Sequence, residues 1–142
     1  MKIHQQIRKI KAKGESIILL GDMNAHVGDL VQGNKSNISF GGKLIREFLE
    51  DDDFVLLNAA KVSTGGPFTR VDPVNESCLS LLDLCIVSSD LFPYVESFTV
   101  DNDRKSTPYR ALSKTKVKYS DHFSLIIKFV NLPFRNKRKF TH

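Results

Sequence analysis

A chain of 142 residues with 41% hydrophobic and 26% charged residues has the size and composition of one globular domain with its own core, and its net charge of +5 turns attention to anionic partners. No stretch reaches the roughly 18 consecutive apolar residues of a membrane span, and the basic start MKIHQQIRKIKAKG lacks the apolar region of a secretory signal. Cys78 and Cys85 form neither a CxxC pair nor a disulfide framework, which points to a reducing, intracellular setting, nuclear or cytoplasmic.

Along the chain, Ile3, Ile7 and Ile10 recur at spacings of three and four among basic residues. That pattern predicts a short amphipathic helix over 4–13, closed by Gly14. Ser16–Leu20 reads as a buried strand running into Gly21-Asp22-Met23-Asn24. Residues 25–40 are polar, glycine-rich and without periodicity, and read as a loop at the active edge. Gly41-Gly42 opens a helix over Lys43–Asp52, in which Leu44, Ile45, Phe48 and Leu49 share a face, and a strand follows at Phe54–Asn58.

Gly65-Gly66-Pro67 is a turn leading into a short edge strand, Phe68-Thr69-Arg70. Leu79–Val87, the most hydrophobic stretch, reads as a strand with Asp83 embedded in it. Val95–Val100 alternates in part and reads as another strand. Residues 101–120 form a charged connection or hairpin arm, His122–Val130 is the last strand, and Leu132-Pro133 end it. The order predicts an α+β fold with one mixed β-sheet and flanking helices. The domain spans 1–131, and 132–142 form a basic tail expected to be disordered.

Charge is segregated. Lys2, Arg8, Lys9, Lys11 and Lys13 crowd the start, Arg104, Lys105, Arg110, Lys114, Lys116 and Lys118 one connection, and Arg135, Lys137, Arg138 and Lys139 the tail. Acids gather at Glu47, Glu50 and Asp51–Asp53. Such separation fits a polyanionic partner, because neutralised phosphates release counterions. It fits equally well termini and loops kept basic for solubility.

Three polar sets sit at strand edges: Asp22 with Asn24, Asp83 inside Leu81–Val87, and Asp121 with His122. Converging at one end of a sheet, they would supply oxygen ligands for a hard cation, a proton-handling imidazole and an amide donor for a phosphate oxygen. That is the equipment of phosphodiester cleavage. Asn24, two residues after Asp22, lies on the same face of an extended segment. An unpaired carboxylate in an apolar run is costly, so Asp83 needs a partner, and His122 is the natural one. The structural alternatives are an Asx-turn at Asp22 and Asn24, an Asp83 satisfied by backbone N–H groups, and an Asp121 that caps the last strand. His26 reads as a solvated loop histidine. No His/Cys cluster has zinc spacing, and no GxxxxGK[ST] loop is present.

In order, GDMNAHVG, GGKLIREFLEDDDFVLLNA, FTR, SLLDLCIVS and YSDHFSLII resemble the motifs of the endonuclease/exonuclease/phosphatase (DNase I-like) family, and within it the endonucleases of non-LTR retrotransposons. The likeness runs from about Ile17 to Phe129. It implies that Asp22 orients or deprotonates the attacking water, Asn24 holds a phosphate oxygen, Asp83 orients His122, and Asp121 lies near Mg²⁺ (or Mn²⁺). It implies substrate-binding positions at Ser80, which keeps the S-x-x-D spacing before Asp83, and at Thr69 and Arg70, with Arg70 against the DNA backbone. Ordinary surface roles compete at Thr69 and Arg70.

Family members are considerably longer, and these motifs belong to their C-terminal half. The implied fold is therefore the C-terminal half of a four-layer sandwich, truncated at the N-terminus. The principal metal-binding Glu of the other half has no counterpart here, since Glu15 sits in a Lys-Gly-Glu-Ser turn. The implied partners are DNA and either a missing N-terminal half or a second copy across an exposed sheet face, with no membrane. The competing reading is a catalytically inactive transposon-derived remnant that binds nucleic acid without specificity. A phosphomonoester phosphatase shares GDxN and SDH and ranks below both.

Overall fold

A computed structural model describes residues 3–31, 37–50, 53–106 and 120–133. The chain runs through helix α1 (Ile3–Ala12), strand β1 (Ile18–Asp22), helix α2 (Phe40–Glu50) and strand β2 (Phe54–Leu56). Six short strands follow: β3 (Ser63–Thr64), β4 (Arg70–Val71), β5 (Leu79–Ser80), β6 (Asp83–Ser88), β7 (Val95–Val100) and β8 (Leu125–Phe129). Single 3₁₀ turns occupy Gly28–Leu30, Leu57–Ala59 and Phe92–Tyr94.

The strands form three sheets, where the sequence predicts one. β1-β6-β2 is antiparallel, β3-β7-β8 is mixed with β3 parallel to β7, and β4 pairs with β5 alone. The reason lies in β6, all six residues of which are buried. A strand apolar on both faces needs a layer on each side. Leu84 and Ile86 pack with Ile7, Ile10, Ile45, Phe48 and Leu49, so both helices cover one face. Cys85 and Val87 pack with Val95, Phe98 and Val100, so the second sheet covers the other. The α+β class holds, with the mixed sheet as the covering layer.

Several boundaries move for physical reasons. β1 extends past Leu20 to Asp22 because β6 pairs with it as far as Asp22↔Asp83. The stretch Leu79–Val87 is two strands: β5 pairs with β4 and β6 with β1, with the break at Leu81-Leu82. The strand from Phe54 stops at Leu56 and becomes a 3₁₀ turn.

The predicted polar loop of 25–40 is partly core, since Ala25, Val27 and Val31 are buried and Val27 bridges to Ile38. Isolated apolar residues among polar ones carry no periodicity to read. Ser39 caps α2, its Oγ accepting the N–H groups of Gly42 and His26. A Cβ at Gly42 would stand 1.8 Å from the His26 carbonyl oxygen, so only glycine permits this approach.

β1 is an edge strand and leaves Ile18 and Leu20 exposed by 45% and 48%. No helix among the described residues is long and apolar enough to cross a membrane. Both cysteines are unbridged. Burial pushes the Cys85 thiol up to about 12, which makes it an inert core residue. The tail from 134 onward, the basic residues of 107–119, and Asp51 with Asp52 lie outside the described residues.

Candidate active site

Three backbone devices bring the predicted polar sets together. The β1–β6 register sets Asp22 directly opposite Asp83, and cross-strand partners project from the same face. Residues 121–123 run antiparallel beside 69–71: Val71 N–H donates to the Asp121 carbonyl at 2.8 Å, Phe123 N–H to the Thr69 carbonyl at 2.7 Å, and Arg70 bridges His122. Thr69 then ties this pair of segments to β6. Its Oγ1 accepts the N–H groups of Leu82 and Asp83, each at 3.0 Å.

Asn58 completes the frame. Beyond Leu56 no strand among the described residues pairs with that edge of β6, and the Asn58 side chain takes the place of one. Its Oδ1 accepts Cys85 N–H at 2.8 Å and its Nδ2 donates to the Asp83 carbonyl at 3.1 Å. Asp83 is thus fixed by backbone bonds on both sides before its carboxylate does anything.

That carboxylate, 7% exposed at the residue level, meets His122 Nδ1 at 2.7 Å. A carboxylate only accepts, so the proton sits on Nδ1 and Nε2 faces outward. Asp22 Oδ2 and Asp121 Oδ1 each lie 4.0 Å from Nε2, beyond hydrogen-bond reach. Each flanking carboxylate uses its other oxygen locally. Asp22 Oδ1 accepts Asn24 N–H at 2.8 Å, and Asp121 Oδ2 takes Arg70 Nε at 2.8 Å. The Arg70 hydrogen bond is the main cause that holds the Asp121 carboxyl below the usual range, with the nearby His122 acting in the same direction.

Among the described residues, the carboxylates of Asp22, Asp83 and Asp121 gather around a single imidazole, with Arg70 bound to one of them. Such a site attracts a cation first. Asp22 and Asp121 offer hard oxygens, and Mg²⁺ commonly takes only one or two protein carboxylates, with waters and phosphate completing its shell. The donor chemistry therefore fits Mg²⁺. Among the described residues no group of three or more His, Cys, Asp or Glu side chains is arranged to enclose a metal.

Asp22, Asp83, Asp121 and His122 converge as the sequence predicts, and Arg70, expected against DNA backbone, binds Asp121 beside them. Two other positions, Asn24 and Thr69, need correction. Asn24 does not continue the strand: its φ of 43° is left-handed, so the period-two placement beside Asp22 fails, and its side chain is exposed on the turn. The Asx-turn alternative describes its backbone. Thr69 is fully buried and cannot touch substrate; it positions Asp83. Ser80 contributes its carbonyl, which accepts Thr69 N–H at 3.0 Å. Asn58 went unforeseen, although a lone amide closing the apolar run Phe54–Leu57 was its signal.

No protein-family model matches the chain, and no curated protein matches it significantly.

Proposed function

We propose that the chain carries the site of a Mg²⁺-dependent phosphodiesterase of the endonuclease/exonuclease/phosphatase family, acting on DNA. The observation that carries this reading is the Asp83–His122 pair at 2.7 Å, with Asp22 and Asp121 both turned toward Nε2. The motif order GDMN, LLDLCIVS and SDH supports the family, and the apolar Ile18 and Leu20 on an open sheet edge suit a half-sandwich that takes a further layer.

Asp83 holds the imidazole through Nδ1–H, and a proton taken up at Nε2 lets the ring donate to the scissile phosphate. Asp22, half exposed beside it, accepts the proton of the attacking water. Asn24 donates its amide to a non-bridging oxygen from the exposed turn. Mg²⁺ held at Asp121, with waters completing its shell, would neutralise phosphate charge and ease departure of the leaving oxygen. Arg70 keeps Asp121 ionised and in place, and in this reading its guanidinium also meets a backbone phosphate.

A second reading, a catalytically silent remnant that binds nucleic acid without specificity, is favoured by one contact. Arg70 already neutralises Asp121, the residue expected near the metal. Nicking of supercoiled plasmid separates the two. Under the first reading the full chain nicks with Mg²⁺, stops with EDTA, and loses about 10²- to 10⁴-fold in His122→Ala. A folded parent chain that binds DNA but leaves the plasmid intact establishes the second.

A further inference from the structure

Past Asp121 and Ser120 an open cleft of about 530 Å³ runs on to Arg104 and Phe123. Arg104 is placed there by a built turn. Asp101 is buried, and its carboxylate accepts the N–H groups of Lys105 and Ser106 together with the Ser106 hydroxyl. Its carbonyl accepts Arg104 N–H at 3.1 Å. The turn holds Arg104 at φ 55°, a left-handed conformation that residues with a Cβ avoid unless their surroundings impose it.

The outcome of that constraint is a positioned cation. The guanidinium carbon lies 4.7 Å from the Phe123 ring centroid, and Nη1 is 3.5 Å from the His122 carbonyl oxygen. Phe123 is itself fixed next to His122 by its bond to Thr69. An arginine stacked on a ring presents a rigid fork of donors, and five N–H groups can serve both a carbonyl and a phosphate.

Two of the acids along the cleft have partners of their own. Asp121 is bound by Arg70, and Asp72 accepts Val74 and Asn75 N–H groups. Glu76 stands exposed at the rim.

We propose that Arg104 anchors a non-scissile backbone phosphate of DNA in this cleft, alongside the imidazole; the proposal rests on the phosphodiesterase reading of the adjoining site. Arg104 then sets which stretch of backbone lies over His122, while the chemistry stays with the acids and the imidazole.

The test is binding of a short fluorescein-labelled DNA duplex to the full chain, followed by anisotropy in EDTA over a salt series. Each neutralised phosphate adds about 0.9 to the steepness of log K against log salt. Arg104→Gln is expected to lower the steepness by about that amount, and Arg104→Lys to keep it while binding more weakly. An unchanged slope in a folded Arg104→Gln overturns the anchor. Should that variant fail to fold, Phe123→Leu removes the stack and keeps the charge. Weaker binding at the parent's slope is then expected, and unchanged affinity overturns the proposal. A parent that nicks plasmid while Arg104→Gln keeps its slope loses the anchor and retains the endonuclease reading. A parent that neither nicks nor binds duplex in a salt-dependent way loses both.

Discussion

Asp22 and Asp83 face each other across the β1–β6 ladder, and one imidazole is set against both, with Nδ1 2.7 Å from Asp83 and Nε2 4.0 Å from Asp22. Like charges opposite each other on one sheet face repel. A ring that takes one acid as a hydrogen-bond partner and turns its other nitrogen to the second converts that cost into a working arrangement.

If Asp83 acts only through His122, the two residues form one unit and their losses do not add. Asp83→Asn and His122→Ala are each expected to lower nicking by about 10²- to 10⁴-fold. The double variant is expected to be no worse than the poorer single one. Plasmid nicking rates at saturating Mg²⁺ decide this, and a double variant showing the product of the two losses means that Asp83 acts independently of the ring.

Thr69 is fully buried, and its hydroxyl is the acceptor for two backbone N–H groups flanking the bend between β5 and β6. Thr69→Val keeps the shape and strands both donors, for a loss of about 1–3 kcal/mol. Thr69→Ser keeps the acceptor and is expected to fall much closer to the parent. Urea unfolding measures both; equal losses in the two variants would assign the effect to the missing methyl group instead.

Much of the site was legible because its signals are local. A carboxylate inside Leu81–Val87 announces a buried charge that needs a partner, and Asp83 has one in His122. Elements whose extent is set by distant partners were not legible. Apolar residues at 79–87 look the same whether they form one strand or two, and the split comes from β4 pairing with one part and β1 with the other. Asn24 left the predicted face because the strand ends at Asp22, whose own carboxylate turns the chain. Thr69 reads as a substrate contact or a surface residue, since nothing in Phe68-Thr69-Arg70 shows that its hydroxyl accepts the Leu82 and Asp83 N–H groups.

Asn58 substitutes a side chain for a strand at the edge of β6. Asn58→Ala removes both bonds and exposes the Cys85 N–H and the Asp83 carbonyl to loss of partner, at about 1–3 kcal/mol. The Cys85 amide is expected to exchange with solvent deuterium faster than in the parent, while amides of β7 keep their protection. Uniformly faster exchange throughout the chain would instead show global loss of stability with no special hold on Asp83.

Arg70 and Asp121 give a pH dependence of definite sign. The ion pair holds the Asp121 carboxyl below its ordinary value of 3.8, so the pair's contribution is complete above that value. It fades as pH falls from 3.8 through the depressed folded value, because the native state must then bind a proton that the unfolded state has already bound. In Arg70→Gln the Asp121 titration, followed by carboxyl carbon NMR, is expected to move upward toward 3.8. The stability gap between parent and variant should narrow in acid.

The same substitution also removes the guanidinium bound to Asp121, so Mg²⁺ affinity measured by calorimetry is expected to rise. An upward shift in the titration with no change in Mg²⁺ affinity would separate Asp121 from the cation site and leave it the structural partner of Arg70.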